Sequence, residues 1–230
     1  MTEKKELFDR LAQATIDGDE EAAAKVSQEI IDAGIDPVEA IQQGAKKGLD
    51  TLGDRFQRLE AFIPELVLGG DAMKAALAVL LPHIKKDVAS GAANCKVVIG
   101  TVSGDIHEIG KSLVACMLMA AGFEVHDLGY DVNDKLFVET AEKVGANVIA
   151  TSALLSLTAN HQEEIIKLLR DMGLREKYFM IVGGGPVNAD WANQIGADGY
   201  GRTAVDAVEL VKQLMAQKKP PPLTQPVVVE

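Results

Sequence analysis

The sequence has 230 residues, of which 47% are hydrophobic and 25% are charged, and its formal net charge is −11. A chain of this length and composition can bury a substantial core, as one large or two small domains, and is not disordered. The negative charge and the absence of any lysine or arginine block exclude the basic surface that nucleic acid or an anionic membrane requires. We therefore expect neither partner.

The amino terminus and the cysteines predict a cytoplasmic protein. The first residues are polar and contain no apolar signal core, and no apolar window has the length needed to span a bilayer. Cys95 and Cys116 lie in apolar or strand-like surroundings without a paired spacing. We expect both thiols to be buried, with no disulfide framework and no cysteine-based metal site.

Residues 1–86 are predicted to form a four-helix bundle. Apolar and small residues recur there at three- and four-residue spacing, as in Leu66, Gly70, Met73, Leu77 and Leu81. Capping acids, and prolines suited to a first turn, mark helix starts at Asp19, Asp36, Pro37 and Pro64.

A linker is predicted at 87–94, where the helical period is lost and small and polar residues take over. A second domain is predicted over 95–217. The tail at 218–230 contains three consecutive prolines, which cannot continue a helix, and is predicted to be an extended segment.

Short apolar runs alternate with helical patterns in the second domain. The predicted strands lie near 96–101, 123–128, 147–152, 178–183 and 198–200. The predicted helices lie near 108–121, 133–145, 160–172, 188–196 and 203–217. Because parallel neighbours need helical crossovers, this α/β alternation predicts a doubly wound, five-stranded parallel sheet of the Rossmann or flavodoxin type.

Three loops after the predicted strands carry the residues of chemical interest. They run from Thr101 to Gly110, from Ser152 to Thr158 and from Gly183 to Pro186. Ligands of open parallel sheets bind at the carboxyl ends of the strands. We therefore expect the three loops to meet at one edge of the sheet.

Asp105 and His107, in the first of these loops, admit two interpretations. Aspartate is a favoured N-cap, so the pair could be a capping acid beside a solvent-facing histidine. Alternatively, His107 is a metal ligand whose second ring nitrogen is held by Asp105, an arrangement that fixes the tautomer and strengthens the donor. No second His, Cys or Asp cluster lies nearby, so such a metal would have to bring its own macrocycle.

The glycines of the third loop also admit two interpretations. Tight strand-to-helix turns use glycine whatever they bind. Three in succession, Gly183, Gly184 and Gly185, favour close approach of the backbone to a bulky ligand, and the small Ser152 fits the same idea. The two loops could therefore form the walls of a slot.

Together these motifs resemble the cobalamin-binding domains of methionine synthase and of the corrinoid proteins of methyltransferase systems. Their pattern is Asp-x-His-x-x-Gly, about forty residues, Ser-x-Leu, under thirty residues, then Gly-Gly. Here Asp105 to Gly110 is followed by 41 residues (111 to 151), Ser152 to Leu154, 28 residues (155 to 182) and Gly183-Gly184. The segments 62–66 and 71–74 resemble the helical cap that precedes such domains.

The resemblance implies a cobalamin or related corrinoid bound base-off and His-on, with His107 as the lower axial ligand to cobalt. Asp105 would hold the other imidazole nitrogen, and Thr158 would be a third member of that relay. Ser152 would hydrogen-bond the displaced tail base. The cofactor-binding residues would be Asp105, Ile106, His107, Gly110, Ser152, Leu154, Gly183, Gly184 and Gly185, and Phe62 and Met73 of the cap are candidates for the upper face.

The function implied is that of a non-autonomous corrinoid carrier. It accepts a methyl group on cobalt from a substrate-specific methyltransferase and passes it to a second methyltransferase, and a corrinoid reactivating protein is a further possible partner. The sequence leaves open the methyl donor, the upper ligand and the oligomeric state.

The alternatives are a cobalamin-dependent sensor or regulatory module and the B12 subunit of a mutase. A sensor would carry a signalling or DNA-binding segment, and a mutase subunit would not need the helical cap. A phosphorylated receiver would need an aspartate where Ser152 ends its strand, and a flavodoxin would need more aromatic residues than 4% of the chain.

Overall fold

The protein is described by a computed structural model that covers residues 2–84, 95–217 and 219–229. It divides into two compact units, Met1–Lys85 and Lys86–Glu230. The predicted linker at 87–94 lies outside the described residues. None of the described helices is long and apolar enough to cross a membrane.

The first unit is helical. Its elements are α1 (Thr2–Asp17), α2 (Glu20–Asp32), α3 (Pro37–Ala40), a π-helical segment (Ile41–Lys46), α4 (Lys47–Gln57), α5 (Ile63–Leu80) and a 3₁₀ turn (Leu81–His83). The π-helical segment runs directly from α3 into α4, so residues 37–57 form one long helical stretch and the unit has the four helical segments that were predicted.

The helix starts follow from local chemistry. Asp19 caps α2 by accepting the Ala22 N–H at 2.9 Å, and Asp36 caps α3 by accepting the Glu39 N–H at 3.0 Å. The buried face of α5 consists of Gly69, Ala72, Met73, Ala76, Leu77 and Leu80. The predicted stripe placed one residue per turn in the core, at 66, 70, 73, 77 and 81. The helix instead buries adjacent pairs at 72–73 and 76–77, which widens its apolar face as a helical core requires.

The second unit is an α/β unit in which strands and helices alternate. The strands are β1 (Lys96–Thr101), β2 (Glu124–Asp127), β3 (Val148–Ser152), β4 (Phe179–Gly183), β5 (Gly199–Gly201) and β6 (Val227–Val229). The helices are α6 (Ile109–Ala120), α7 (Asp134–Val144), α8 (Asn160–Asp171), α9 (Ala189–Ile195) and α10 (Ala204–Ala216).

The sheet is parallel, with strand order β2-β1-β3-β4-β5-β6. The doubly wound α/β prediction is confirmed, but the predicted count of five strands is wrong. The sixth strand comes from the tail: Leu223 donates its N–H to Asp198 Oδ1 at 2.7 Å, and Val227 donates its N–H to the Asp198 carbonyl at 2.9 Å. Asp198 thereby holds the tail along the free edge of β5.

Each face of the sheet has its own core. Val98, Ile149, Met180 and Val182 face the core that is closed by α7, α8 and α9. Val97, Ile99, Val148, Ala150 and Ile181 face the core that is closed by α6, α10 and the tail. This alternation is the period of two along each strand.

Both cysteines are free, as predicted. Cys95 is buried, and its burial raises the pKa of the thiol to about 11. Cys116 is only partly buried, which corrects the expectation for that residue, because it lies at the edge of the buried face of α6.

Candidate functional site

The loop between β1 and α6 carries the acid and the imidazole, and the fold holds its backbone from two sides. Thr101 Oγ1, at the end of β1, donates to the His107 carbonyl oxygen at 3.1 Å. From the loop between β2 and α7, Asp131 Oδ1 accepts the Gly104 N–H at 2.7 Å. The Asp131 N–H donates to the Asp105 carbonyl oxygen at 2.9 Å. The backbone of the loop is therefore held by the end of β1 and by the neighbouring loop.

The Asp105 carboxylate is fully buried and accepts hydrogen bonds at both oxygens. Oδ1 lies 2.6 Å from His107 Nδ1 and 3.1 Å from the His107 backbone nitrogen. Oδ2 accepts the N–H groups of Leu154 and Leu155 at 2.8 and 3.1 Å, and the Thr158 hydroxyl at 2.7 Å. The structure thus brings the predicted relay residues Asp105, His107 and Thr158 into direct contact.

These hydrogen bonds set the charge of Asp105. Burial raises the pKa of the carboxyl, but the hydrogen bonds from Thr158, from His107 and from the backbone outweigh burial and hold the pKa well below its usual range. An ionised carboxylate only accepts hydrogen bonds, so the shared proton lies on His107 Nδ1. The lone pair of His107 Nε2 is then available to a ligand.

His107 Nε2 is also accessible. The side chain is 45% exposed, and within residues 2–84, 95–217 and 219–229 no hydrogen-bond donor reaches Nε2. The same part of the chain contains no group of three or more His, Cys, Asp or Glu side chains that could hold a metal ion. A metal at this nitrogen must therefore bring its remaining ligands with it.

Ser152 and Gly183 mark an opening between the sheet and two helices. They are in register at the carboxyl ends of β3 and β4. Two residues earlier in the same strands, Ala150 and Ile181 face the core that includes α6 and α10. Since side chains alternate along a strand, the Ser152 side chain and the empty side-chain position of Gly183 face the same way. They therefore lie at one mouth between the sheet edge, α6 and α10.

The glycines near this mouth have different roles. A Cβ added to Gly183 would approach only the Gly201 carbonyl oxygen, at 3.9 Å, and a Cβ added to Gly110 would meet nothing within 4 Å. These two positions leave open space. Gly184 is different, because its φ is +124° and a Cβ there would lie 1.8 Å from the Ala153 carbonyl oxygen. Packing of the protein itself therefore requires glycine at 184.

Apolar side chains next to the Asp105–His107 pair are exposed to solvent. Ile106 is 69% exposed and Leu154 is 48% exposed. Gly185 allows Leu154 to lie close, because a Cβ at 185 would be 2.9 Å from Leu154 Cδ1. Exposed apolar groups beside a polar centre are typical of a surface that a ligand or partner covers.

Phe62 and Met73 lie in the helical unit. Phe62 precedes α5 and is 65% exposed, while Met73 is 2% exposed in the core of that unit. Burial makes Met73 part of the helical packing. Contact of either residue with a cofactor stays a prediction.

Two residues of the site were missed from the sequence. Asp131, which clamps the loop, adopts a left-handed conformation with φ of 50° that its sequence gives little reason to expect. Gln162 binds the ends of β3 and β4 from α8. A signal for Gln162 was present, because its spacing to Ile165, Ile166 and Leu169 places it on the buried face of the helix.

Comparison with known protein families identifies both units. The α/β unit matches a family model described as a B12 binding domain over residues 95–209, and the helical unit matches a second such model over 7–81. A corrinoid protein of Desulfitobacterium hafniense (strain Y51) is 44% identical over 92% of this chain and 98% of its own length. The chain belongs to the family of B12-binding corrinoid proteins. The resemblance carried by the three motifs is thus confirmed.

Further members of the corrinoid protein family match along nearly the whole chain. Trimethylamine corrinoid protein 1 of Methanosarcina acetivorans is 42% identical over 94% of this chain and 100% of its own length. The solved monomethylamine corrinoid protein of Methanosarcina barkeri is 31% identical, with a TM-score of 0.84 over 92% of this chain and 99% of that chain. A chain from the methanol:cobalamin methyltransferase complex of the same species is 27% identical, with a TM-score of 0.51 over 92% and 80%.

Proposed function

We propose that this protein is the corrinoid carrier of a multi-component methyltransferase and that His107 Nε2 is the lower axial ligand to its cobalt, with the tail base displaced. One observation carries the proposal. The buried, ionised Asp105 lies 2.6 Å from His107 Nδ1, so the imidazole presents an accessible Nε2 lone pair. If the Asp105–His107 pair only stabilised the loop, His107 Nε2 would not need to be accessible to a ligand.

The residues present fit a corrinoid. His107 has no cluster of further ligand side chains around it among the described residues, which suits a metal that brings its own equatorial ligands. The exposed Ile106 and Leu154 suit a large, partly apolar group above the loop. The mouth at Ser152 and Gly183 suits the displaced tail, because the Gly183 position is open and the Ser152 hydroxyl can hydrogen-bond the tail base.

When bound, the corrinoid supplies a cobalt that holds the methyl group between the donating and accepting reactions. The protein contributes control of a proton. While Nε2 is engaged, Asp105 stabilises the proton on His107 Nδ1. The same carboxylate, 2.6 Å from Nδ1, would hold the ring in one orientation and one tautomer whether or not Nε2 is engaged.

The partners are methyltransferases, one that loads the methyl group and one that receives it, with a corrinoid reactivating protein as a further partner. Corrinoid proteins named for trimethylamine and dimethylamine are 42% and 41% identical to this chain, whereas the chain from the methanol complex is 27% identical. We therefore propose a methylamine as the methyl donor.

Reconstitution tests the proposal directly. The apoprotein is loaded with hydroxocobalamin, and the visible spectrum and stoichiometry are compared for wild type, His107→Ala and His161→Ala. His161 is a matched control, because it also lies beside a carboxylate, with Nδ1 3.0 Å from Asp134 Oδ2. We expect one corrinoid per chain, with a ligation spectrum that only His107→Ala abolishes. The assignment would be refuted if both variants kept the ligation spectrum, or if both lost it.

A further inference from the structure

The side-chain amide of Gln162 joins the ends of β3 and β4. Its Nε2 donates to the carbonyl oxygens of Thr151 and Gly183, each at 3.1 Å. Its Oε1 accepts the indole N–H of Trp191, on α9, at 3.0 Å. The side chain is fully buried. Indole nitrogen can only donate, so Oε1 must face Trp191 and both amide hydrogens must face the strands.

The two carbonyl groups that Gln162 holds are next to the proposed tail mouth. Thr151 immediately precedes Ser152, and the Gly183 carbonyl immediately precedes Gly184. The Gly183 carbonyl also accepts the Ala153 N–H at 3.1 Å, so it is held from the neighbouring strand as well as from α8. The Gln162 amide therefore fixes the backbone at the point where both strands end.

Gln162 acts from the side of the sheet opposite the mouth. Its helix neighbours Ile165 and Ile166 belong to the core under α7, α8 and α9, whereas Ser152 and Gly183 face α6 and α10. It cannot touch a ligand in the mouth, and any effect on binding must pass through the strand ends. Apolar packing alone would not need this amide, since burying one costs several kcal/mol unless every group is hydrogen-bonded.

We propose that Gln162 is a positioning residue for the nucleotide tail of the corrinoid. By holding the Thr151 and Gly183 carbonyls at one separation, it keeps the Ser152 hydroxyl and the open Gly183 position at the width that the tail requires. This inference rests on the proposed base-off binding mode and adds a residue that selects for corrinoids carrying a tail.

The test compares two ligands that differ only in the tail. Dissociation constants are measured for cobalamin and for cobinamide, which lacks the nucleotide tail, with wild type, Gln162→Leu and Ile166→Val. Leucine keeps an apolar side chain of similar size at 162 but removes the amide. Ile166→Val is the matched control, because it weakens the same face of α8 without touching a hydrogen bond.

Gln162→Leu should weaken cobalamin binding about tenfold, the equivalent of one or two lost hydrogen bonds, and leave cobinamide binding within about twofold of wild type. Ile166→Val should leave the ratio of the two constants unchanged. Trp191→Phe removes the indole donor that orients the amide and keeps an aromatic ring at 191. It should lower the cobalamin preference, the dissociation constant of cobinamide divided by that of cobalamin, less than Gln162→Leu does, and it serves if that variant does not fold.

The outcomes separate this inference from the proposed function. If wild type binds neither corrinoid, the proposed function itself is wrong. If Gln162→Leu weakens cobinamide binding as much as cobalamin binding, Gln162 does not act through the tail. If wild type prefers cobalamin and the Gln162 and Trp191 variants keep the wild-type ratio, the mouth stands and the positioning role of Gln162 is overturned.

Discussion

Replacing Asp105 with asparagine tests how the buried carboxylate prepares His107. In the wild type, one carboxylate oxygen receives His107 while the other receives Leu154, Leu155 and Thr158. Asparagine has a single oxygen, which three donors on one side should capture. Its amide nitrogen then faces His107 Nδ1 and donates to it, so the ring proton moves to Nε2 and occupies the ligating lone pair.

The size of the effect follows from that exchange. To ligate through Nε2, the variant must move the ring proton back to His107 Nδ1. The protonated Nδ1 and the side-chain amide nitrogen at 105 are then two donors that face each other. The lost charge-assisted hydrogen bond and the unpaired donor cost about 1.5–3 kcal/mol, so ligation should weaken roughly 10- to 150-fold. The corrinoid should stay bound, since the mouth at Ser152 and Gly183 is untouched.

Two spectra report the outcome. Nitrogen-15 NMR of the apoprotein should show His107 protonated at Nδ1 in wild type and at Nε2 in Asp105→Asn. The visible spectrum of the loaded variant should shift toward the form without a histidine ligand. Asp131→Asn is the matched control, because it removes a charge beside the same loop while its amide oxygen can still accept the Gly104 N–H. An Asp105→Asn protein with the wild-type tautomer and ligation would contradict the reasoning.

Four further predictions concern the stability of the fold and the support of the site. Gly184→Ala should cost more than about 3 kcal/mol in urea unfolding, because φ is +124° and the added carbon overlaps a carbonyl oxygen. Gly183→Ala should change the unfolding free energy by less than about 1 kcal/mol yet reduce cobalamin affinity, because its side chain would enter the mouth. Deleting residues 219–230 should lower the melting temperature by roughly 3–12 °C through loss of the partly buried Leu223 and of β6, and an unchanged melting curve would show that the tail does not stabilise the sheet. Because the folded-state pKa of Asp105 is depressed, its stabilising contribution is fully present above the unfolded pKa of about 4 and declines as the pH falls from there towards the lower folded-state pKa. The difference in unfolding free energy between wild type and Asp105→Asn should therefore begin to narrow as the pH falls from 7 to 3.

The sequence determined most of the α/β unit because its signals are local. Each of the first five strands is followed by a helical period, and the observed bounds differ from the predicted ones by at most one residue. The meeting of the three loops also followed, since it requires only that parallel strands share a carboxyl edge. Asp105, His107 and Thr158 touch as the motif implied.

The local sequence pattern did not predict the sixth strand. The three valines of Val227–Val229 favour a strand, but the run is very short and follows a proline-rich segment. Their pairing depends on a free edge at β5 and on Asp198, whose carboxylate is buried against Arg175 at 2.8 Å and still accepts the Leu223 N–H. Tertiary contacts of this kind decide which short valine run becomes a paired strand, and a local sequence window does not contain them.

The sequence could not show why position 184 needs glycine, for a similar reason. A run of three glycines predicts close approach of the backbone to something, but not to what. At 184 the neighbour is the Ala153 carbonyl of the adjacent loop, while at 183 the space is open. Only the arrangement of β3 beside β4 distinguishes the two positions.

The central claim is that a histidine nitrogen of this chain, and not the tail base, ligates cobalt. Protein labelled with nitrogen-15 histidine is loaded with cobalamin and reduced to the paramagnetic cobalt(II) form, and its electron paramagnetic resonance spectrum is recorded. Nitrogen-15 at the axial position splits each cobalt line into two, whereas the unlabelled tail base splits each line into three. We predict doublets that disappear in His107→Ala, and triplets in the labelled wild type would contradict the account.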